Sequence, residues 1–165
     1  MPDSARPRPS VRLLRDEELP IYLSLVNAAI TGLAGGHYSA ETLQSWRVPI
    51  TEATLDQLRR NDDHEIRFVA EMDGAAVGIG ALVIEGAELR ACYVLPTAAR
   101  RGVGSAIVDA IERQARAHGL DRLMVVASLN AEPFYAALGY GILTRGDIHL
   151  KSGQPMAAVW MSKSL

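Results

Sequence analysis

The turn Arg100-Arg101-Gly102-Val103-Gly104-Ser105 combines two arginines with two glycines. It follows an apolar run from Leu89 to Leu95 and precedes a segment with helical spacing. Glycines let backbone N–H groups come close to a ligand, and the first amides of a helix have no partner within it. The helix dipole adds partial positive charge at the same end. The sequence therefore predicts a phosphate or pyrophosphate site here, with a turn that binds nothing as the alternative.

Two familiar nucleotide-binding motifs fit this turn badly. A P-loop needs a lysine after its last glycine, and Ser105 follows Gly104 instead. The dinucleotide fingerprint needs a third glycine or an alanine where Ile107 stands. Apolar residues recur at helical spacing from Val103 to Ile111, so the helix after the turn is well defined. A nucleotide-binding protein is therefore the less favoured hypothesis.

Length and composition indicate one globular domain. The chain has 165 residues, of which 48% are hydrophobic and 22% are charged, with a formal net charge of −2. This charge gives no reason to expect nucleic-acid or membrane binding. The only cysteine, Cys92, excludes an internal disulfide and is expected to be a buried structural thiol. No apolar run approaches the ~20 residues that span a bilayer.

The first ten residues differ in composition from the rest. They hold three prolines and two arginines without an apolar segment, so we expect a flexible tail over 1–10 and not a signal peptide. The folded domain is then expected over 11–165, and a cytoplasmic location is the default.

Periodicity and turn residues predict an α/β domain. Asp16 is a plausible helix N-cap, and Ser39 is predicted to cap a second helix. Asp73-Gly74 predicts a hairpin, and Gly78 and Gly80 in its return strand suggest a bulge or a close backbone approach. The strands before and after the Val103 helix are connected by a crossover, so they should be parallel.

Two segments together resemble the GNAT superfamily of acetyl-CoA-dependent N-acetyltransferases. Ser128 to Tyr140 is similar to the family's Asn-Ala-x-x-Phe-Tyr-x-x-x-Gly-Phe/Tyr signature. Glu88 to Ser105 resembles its pyrophosphate-loop region, which combines Tyr-Val-x-Pro with a later Gly-x-Gly. The family usually has arginine or glutamine where Ala99 stands. The resemblance covers residues 11–163 and implies a single-domain fold with a mixed, mostly antiparallel sheet flanked by helices.

The resemblance also implies acetyl-CoA as cosubstrate and a set of residues that bind it. Backbone groups of Cys92, Tyr93 and Val94 would pair with the pantetheine arm as an added half-strand. Asn130 would hydrogen-bond the pantetheine or cap the short helix that follows it. The pyrophosphate would lie on the loop residues Arg100, Arg101, Gly102, Val103, Gly104 and Ser105.

Catalytic roles fall on Tyr135 and Glu88 by the same resemblance. A phenol has a pKa of about 10 and a thiol of about 8.5, so a tyrosine can protonate a departing thiolate at neutral pH. The alternative for Tyr135 is a helix tyrosine that only packs. Glu88 is the weaker candidate, as a base for the amine, and it could equally be a solvated carboxylate at a strand end.

The acceptor side is expected around His37 and Tyr38. The run His37-Tyr38-Ser39-Ala40-Glu41-x-Leu43-x-x-Trp46 resembles one bacterial GNAT subgroup of mostly unassigned substrate. Histidine can gain or lose a proton near neutral pH, so His37 is a candidate for acceptor binding or proton transfer. The remaining histidines lack ligand spacing, so no metal site is expected.

Two functions remain open. One is an enzyme that acetylates a primary amine, small or on a protein, by direct attack in a ternary complex. The other is a non-catalytic acyl-CoA-binding or regulatory module on the same fold. The acceptor, the range of acyl groups and the oligomeric state are open too, and a homodimer is one candidate assembly.

Overall fold

One seven-stranded sheet organises the protein, in the order β1-β2-β3-β4-β5-β7-β6. The structure is a computed structural model that describes residues 6–165. Neighbouring strands are antiparallel except β4 and β5, which are parallel as the crossover predicts. The strands are β1 Ser10–Leu13, β2 Ile66–Met72, β3 Ala75–Val83, β4 Glu88–Val94, β5 Arg122–Ser128, β6 Gly141–His149 and β7 Pro155–Ser164. The fold class predicted by the sequence is confirmed.

The helices lie where the periodicity predicts them, with bounds that differ by a few residues. Residues 1–5 of the expected tail lie outside the described part of the chain. Ser10, the last residue of that expected tail, pairs with Glu71 and so belongs to the sheet. The helices are α1 Leu19–Leu33, α2 Ala40–Trp46, α3 Glu52–Arg60, α4 Val103–Ala117 and α5 Glu132–Ala137.

Local side-chain contacts set the helix starts. The Ser39 hydroxyl accepts from the Thr42 amide at 3.1 Å and begins α2, as predicted. Asp16 does not cap α1, because Asp16–Glu18 forms a 3₁₀ turn and the helix begins only at Leu19. The Glu18 carboxylate accepts the Arg15 amide at 2.9 Å, which holds this extra turn in place.

The core has two layers, one on each face of the sheet. Helix α4 packs with Phe68 and Leu89 on one face, and α1 packs with Ile79 and Ala91 on the other. A Cβ on Gly80 would lie 2.5 Å from Ile107 of α4. The predicted close approach at this glycine is therefore an approach of a helix, and it presses α4 against the centre of the sheet.

Strand β4 carries an extra residue at Arg90. Ala91 pairs with Ala81 and Leu89 pairs with Leu82, so Arg90 has no direct partner on β3. Such a bulge re-aims the side chains that follow it. Among the described residues, no helix is both long enough and apolar enough to cross a membrane.

Candidate active site

A gap opens in the middle of the sheet, between β4 and β5. The two strands pair only where Glu88 meets Met124, although β4 continues to Val94 and β5 to Ser128. Beyond Glu88 the β4 edge that faces β5 has no strand partner within residues 6–165. Unpaired backbone groups at such an edge need another hydrogen-bonding partner. The gap can therefore accept an extended ligand.

The predicted anion site lies at the end of β4 and the start of α4. Gly102 occupies the N-cap position with φ +81°, and no side chain caps the helix there. Ala106 donates the first helical bond, to Gly102, so the amides of Val103, Gly104 and Ser105 have no partner within the helix. A fifteen-residue helix adds its dipole to these amides. This turn has the donors and the partial charge that a pyrophosphate requires.

The turn and the gap share one cavity of about 400 Å³. All the cofactor residues predicted from the sequence line it except Arg101, whose side chain is exposed. His37 lines it as well. The predicted cofactor residues that line the cavity are Cys92, Tyr93, Val94, Arg100, Gly102, Val103, Gly104, Ser105 and Asn130. The structure thus brings together residues that are almost forty positions apart in the chain.

Asn130 lines this cavity and carries a buried, unpaired oxygen. Its Oδ1 atom is buried and has no hydrogen-bond partner in the described structure. The alternative role in capping is not observed, because Ala131 is the N-cap residue of α5 and no side chain caps that helix. A buried acceptor without a partner costs about 1–3 kcal/mol, so a bound group that donated to it would be stabilising.

Phe134 was given no role by the sequence, yet it joins the two motifs. Its ring lines the first cavity, and a Cβ on Gly104 would lie 3.0 Å from two of its ring atoms. The glycine is therefore needed for the packing of α5 against the first turn of α4. The only sequence signal for this contact is the position of Phe134 beside Tyr135.

A second cavity of about 320 Å³ continues the first one through the gap. The two cavities share Trp46, Cys92, Tyr93, Ser128 and Ala131 as lining residues.

Tyr135 reaches this second cavity and not the first. Its side chain is 4% exposed, and its hydroxyl makes no hydrogen bond with the described residues. Its ring lies between those of Phe134 and Tyr140, with centroids at 5.0 and 5.6 Å. Burial raises the pKa of Tyr135 well above 10, so the phenol keeps its proton at neutral pH.

Cys92 lines both cavities, but it is a poor nucleophile. Burial raises the pKa of its thiol to about 12, and the sulfur lies 3.8 Å from the Gly104 carbonyl oxygen. Only a thiolate attacks efficiently, and this thiol stays protonated at neutral pH. The structure agrees with the expectation of a structural thiol.

Glu88 is not brought to either of these cavities. It begins β4, at the closed end of the gap, and its carboxylate accepts from Arg90 at 2.9 Å. Arg90 lies at the bulge and also binds Asp63 and Glu65. The role of Glu88 as base, directly or through water, stays a prediction.

The two predicted acceptor residues have different surroundings. His37 lines the first cavity, whereas Tyr38 lines neither of the two. The Tyr38 hydroxyl donates to the Ala157 carbonyl at 2.6 Å and accepts from the Leu129 amide at 2.7 Å. Tyr38 therefore ties the loop before α2 to β7 and to the end of β5. This contact could not be read from the sequence, because its partners lie on distant strands.

Metal ligands do not gather anywhere in residues 6–165. No group of three or more histidine, cysteine, aspartate or glutamate side chains there is arranged to hold an ion.

Comparisons with known proteins agree with this geometry. The profile of the acetyltransferase (GNAT) family matches residues 36–140. A GCN5-related N-acetyltransferase from Rhodopseudomonas palustris is 27% identical, with a TM-score of 0.87 over 98% of this chain and 97% of that chain. No curated protein gave a significant match.

Two further structures share the fold at lower identity. The PaiA N-acetyltransferase of Thermoplasma acidophilum, in complex with coenzyme A, is 18% identical, with a TM-score of 0.75 over 96% of this chain and 99% of that chain. YncA of Salmonella typhimurium, with its cofactor acetyl-CoA, is 18% identical, with a TM-score of 0.70 over 96% of this chain and 94% of that chain. Since the family profile covers most of the chain and the divided sheet carries both motifs, the protein belongs to the GNAT family of acetyltransferases.

Proposed function

We propose that the protein transfers the acetyl group of acetyl-CoA to a primary amine by direct attack in a ternary complex. The observation that carries this proposal is the pair of connected cavities. One is lined by the predicted cofactor residues, and the other contains the unpaired hydroxyl of Tyr135. Acetyl-CoA bound in the first would present its thioester to an amine in the second.

The residues of the first cavity fit acetyl-CoA at three points. The amides of Val103, Gly104 and Ser105 suit its pyrophosphate, and Arg100 adds positive charge beside them. The free edge of β4 suits the amides of the pantetheine arm, as an added half-strand. The buried Oδ1 of Asn130 needs a donor, and a pantetheine N–H is one. Coenzyme complexes of PaiA and YncA, which share the fold, support this assignment.

The chemical roles follow from what each residue can hold or move. The thioester supplies an activated acetyl carbon, to which the amine nitrogen bonds as the carbon–sulfur bond breaks. The nitrogen loses one proton and the sulfur gains one, so the exchange balances without a further reactant. Tyr135 holds a proton at Oη and can give it to the sulfur. A β4 amide in the gap can polarise the thioester carbonyl. Cys92 has no covalent role.

One observation favours the non-catalytic alternative. Within the described residues, no aspartate or glutamate lines the second cavity, so a carboxylate base is missing there. A binding or regulatory module would need the cofactor cavity alone. The alternative predicts coenzyme binding without thiol release.

The test is a screen of primary amines for thiol release from acetyl-CoA, with mass spectrometry of the acetylated product. The proposal predicts release that requires both the amine and the protein. Tyr135→Phe serves as the matched control, because it keeps the ring and removes only the hydroxyl. Tight coenzyme binding with no release for any amine would favour the module.

A further inference from the structure

The walls of the second cavity are more apolar than polar. Strands β5, β6 and β7 contribute Val126, Ile148, Met156 and Ala158, and α2 contributes Trp46. Trp46 also packs on Tyr93, with ring centroids 6.3 Å apart. An aromatic or branched aliphatic group would gain free energy from burial against these side chains.

Arg90 is the one charged residue among the described residues that line this cavity. Its guanidinium is already neutralised, because it contacts Asp63, Glu65 and Glu88. A substrate carboxylate would have to compete with these three carboxylates, and a substrate ammonium finds no free anion inside.

The carboxylates beyond Arg90 are also paired with arginines. A third cavity continues from Arg90 and Tyr93, and Asp62, Asp63 and Glu65 line it. Glu65 pairs with Arg67 at 2.8 Å, and Asp62 lies 3.9 Å from Arg60. Asp62, Asp63 and Glu65 therefore each contact an arginine, although Arg90 is shared by three carboxylates.

We infer that the acceptor is a small primary amine with an aromatic or branched aliphatic body and no second charge. This inference rests on the proposed function and adds the substrate class. Burying a second ammonium without a partner would cost several kcal/mol, whereas an apolar body pays no such penalty.

The apolar walls also bear on how the amine becomes neutral. Desolvation lowers the pKa of an amine, because burial disfavours its charged form. An amine in this cavity is therefore shifted toward the neutral, nucleophilic state without an adjacent carboxylate. Tyr135 supplies the proton that the sulfur receives, and the proton that leaves the nitrogen returns to Tyr135 through solvent, so the tyrosine ends protonated.

The test compares 2-phenylethylamine and 3-methylbutylamine with 1,4-diaminobutane, spermidine and phenylalanine. We expect kcat/KM for the first two amines to exceed that for the other three by at least about 100-fold. A diamine, a polyamine or an amino acid that is acetylated as fast as 2-phenylethylamine would overturn the inference.

A binding measurement separates this inference from the proposed reaction. Trp46 lines both cavities, so its fluorescence in CoA-saturated protein should change on titration with 2-phenylethylamine. The Trp46→Phe variant, which keeps Trp160, controls for the second tryptophan. Saturable binding of the apolar amines without any thiol release would contradict the reaction and support the substrate class. Stronger binding of the diamine would contradict the substrate class.

A charge placed in the cavity should redirect its preference. Ile148 is half-buried, so Ile148→Glu can be accommodated, and Ile148→Gln is the control of equal length without charge. We expect the ratio of 1,4-diaminobutane to 2-phenylethylamine, in kcat/KM or in affinity, to rise at least about tenfold in the glutamate variant relative to the glutamine variant. An unchanged ratio in folded Ile148→Glu protein would overturn the inference.

Discussion

At the level of single residues, a substitution of Tyr135 can distinguish a catalytic role from a packing role. Tyr135→Phe keeps the contacts with Phe134 and Tyr140 and deletes an oxygen that has no partner within the described residues. If this oxygen protonates the thiolate, kcat should fall about 100-fold while the Michaelis constant for acetyl-CoA changes little. Steady-state kinetics on one accepted amine measure both constants.

Two controls accompany this measurement. Single-turnover rates must show that chemistry and not product release limits kcat. The melting temperature of Tyr135→Phe should match that of the unmodified protein, because the packing is kept. A kcat within a factor of about two would leave Tyr135 as a packing residue and the acid unassigned.

A substitution of Asn130 should change the stability of the protein and its affinity for coenzyme in opposite directions. Asn130→Leu is close in size and removes a buried acceptor that has no partner in the described structure. The free energy of unfolding of the coenzyme-free protein should stay constant or rise, while CoA affinity falls about tenfold for the lost hydrogen bond. Chemical denaturation and calorimetric titration of CoA give the two quantities. A variant that loses stability but binds CoA normally would show that Asn130 serves the fold.

Residue types and spacing predicted an anion site at the start of α4, and the family resemblance added the strand end and Asn130, which line the same cavity. The contacts of Glu88 and Tyr38 could not be predicted from residue types and spacing. Glu88 is hydrogen-bonded by Arg90 at a bulge that no sequence pattern predicts. The Tyr38 hydroxyl is hydrogen-bonded to β7 and to the residue after β5. Both residues have the right type for chemistry, and tertiary contacts direct them to other partners.

At the scale of the element, the contact between α4 and α5 explains Gly104. Its Cβ would meet the Phe134 ring at 3.0 Å, whereas the left-handed backbone belongs to Gly102, with φ +81°. A side chain at 104 would therefore crowd Phe134 even when no pyrophosphate is bound. Gly104→Ala should destabilise even the coenzyme-free protein, by about 1–3 kcal/mol of overpacking.

A double-mutant cycle tests this contact. Phe134→Leu makes room beside position 104, so the pair Gly104→Ala and Phe134→Leu should be less destabilised than the sum of the single variants. Urea denaturation of the four proteins without CoA gives the coupling energy. Additive effects would show that contact with Phe134 is not the reason why a side chain at 104 destabilises the protein.

Elements with local signals were predicted well. Ser39 caps α2, Asp73 and Gly74 turn the hairpin with positive φ, and the crossover makes β4 and β5 parallel. The predicted start of α1 was wrong by three residues, because the Glu18 carboxylate accepts a hydrogen bond from the Arg15 amide and holds a 3₁₀ turn before the helix. The divergence of β4 from β5 was not predicted, since strand residues carry no mark of where pairing stops.

At the scale of the whole molecule, three cavities follow β4 from Val94 to Arg90. The first joins the motifs that the sequence displays. The second takes its walls from α2, α5 and four strands, so no single segment could indicate the acceptor. This division explains why the family can be recognised from the sequence, whereas the substrate class has to be inferred from the assembled structure.

The most direct test of the account is the stability of the protein with and without CoA. The account places the coenzyme in the gap between β4 and β5, on the amides of α4 and the unpaired oxygen of Asn130. A ligand at 100 times its dissociation constant stabilises the folded state by about 2.7 kcal/mol. Thermal denaturation with saturating CoA should show this increase, and Asn130→Leu should need more CoA to reach it. An unchanged unfolding temperature at millimolar CoA, in protein shown to be folded, would contradict the account.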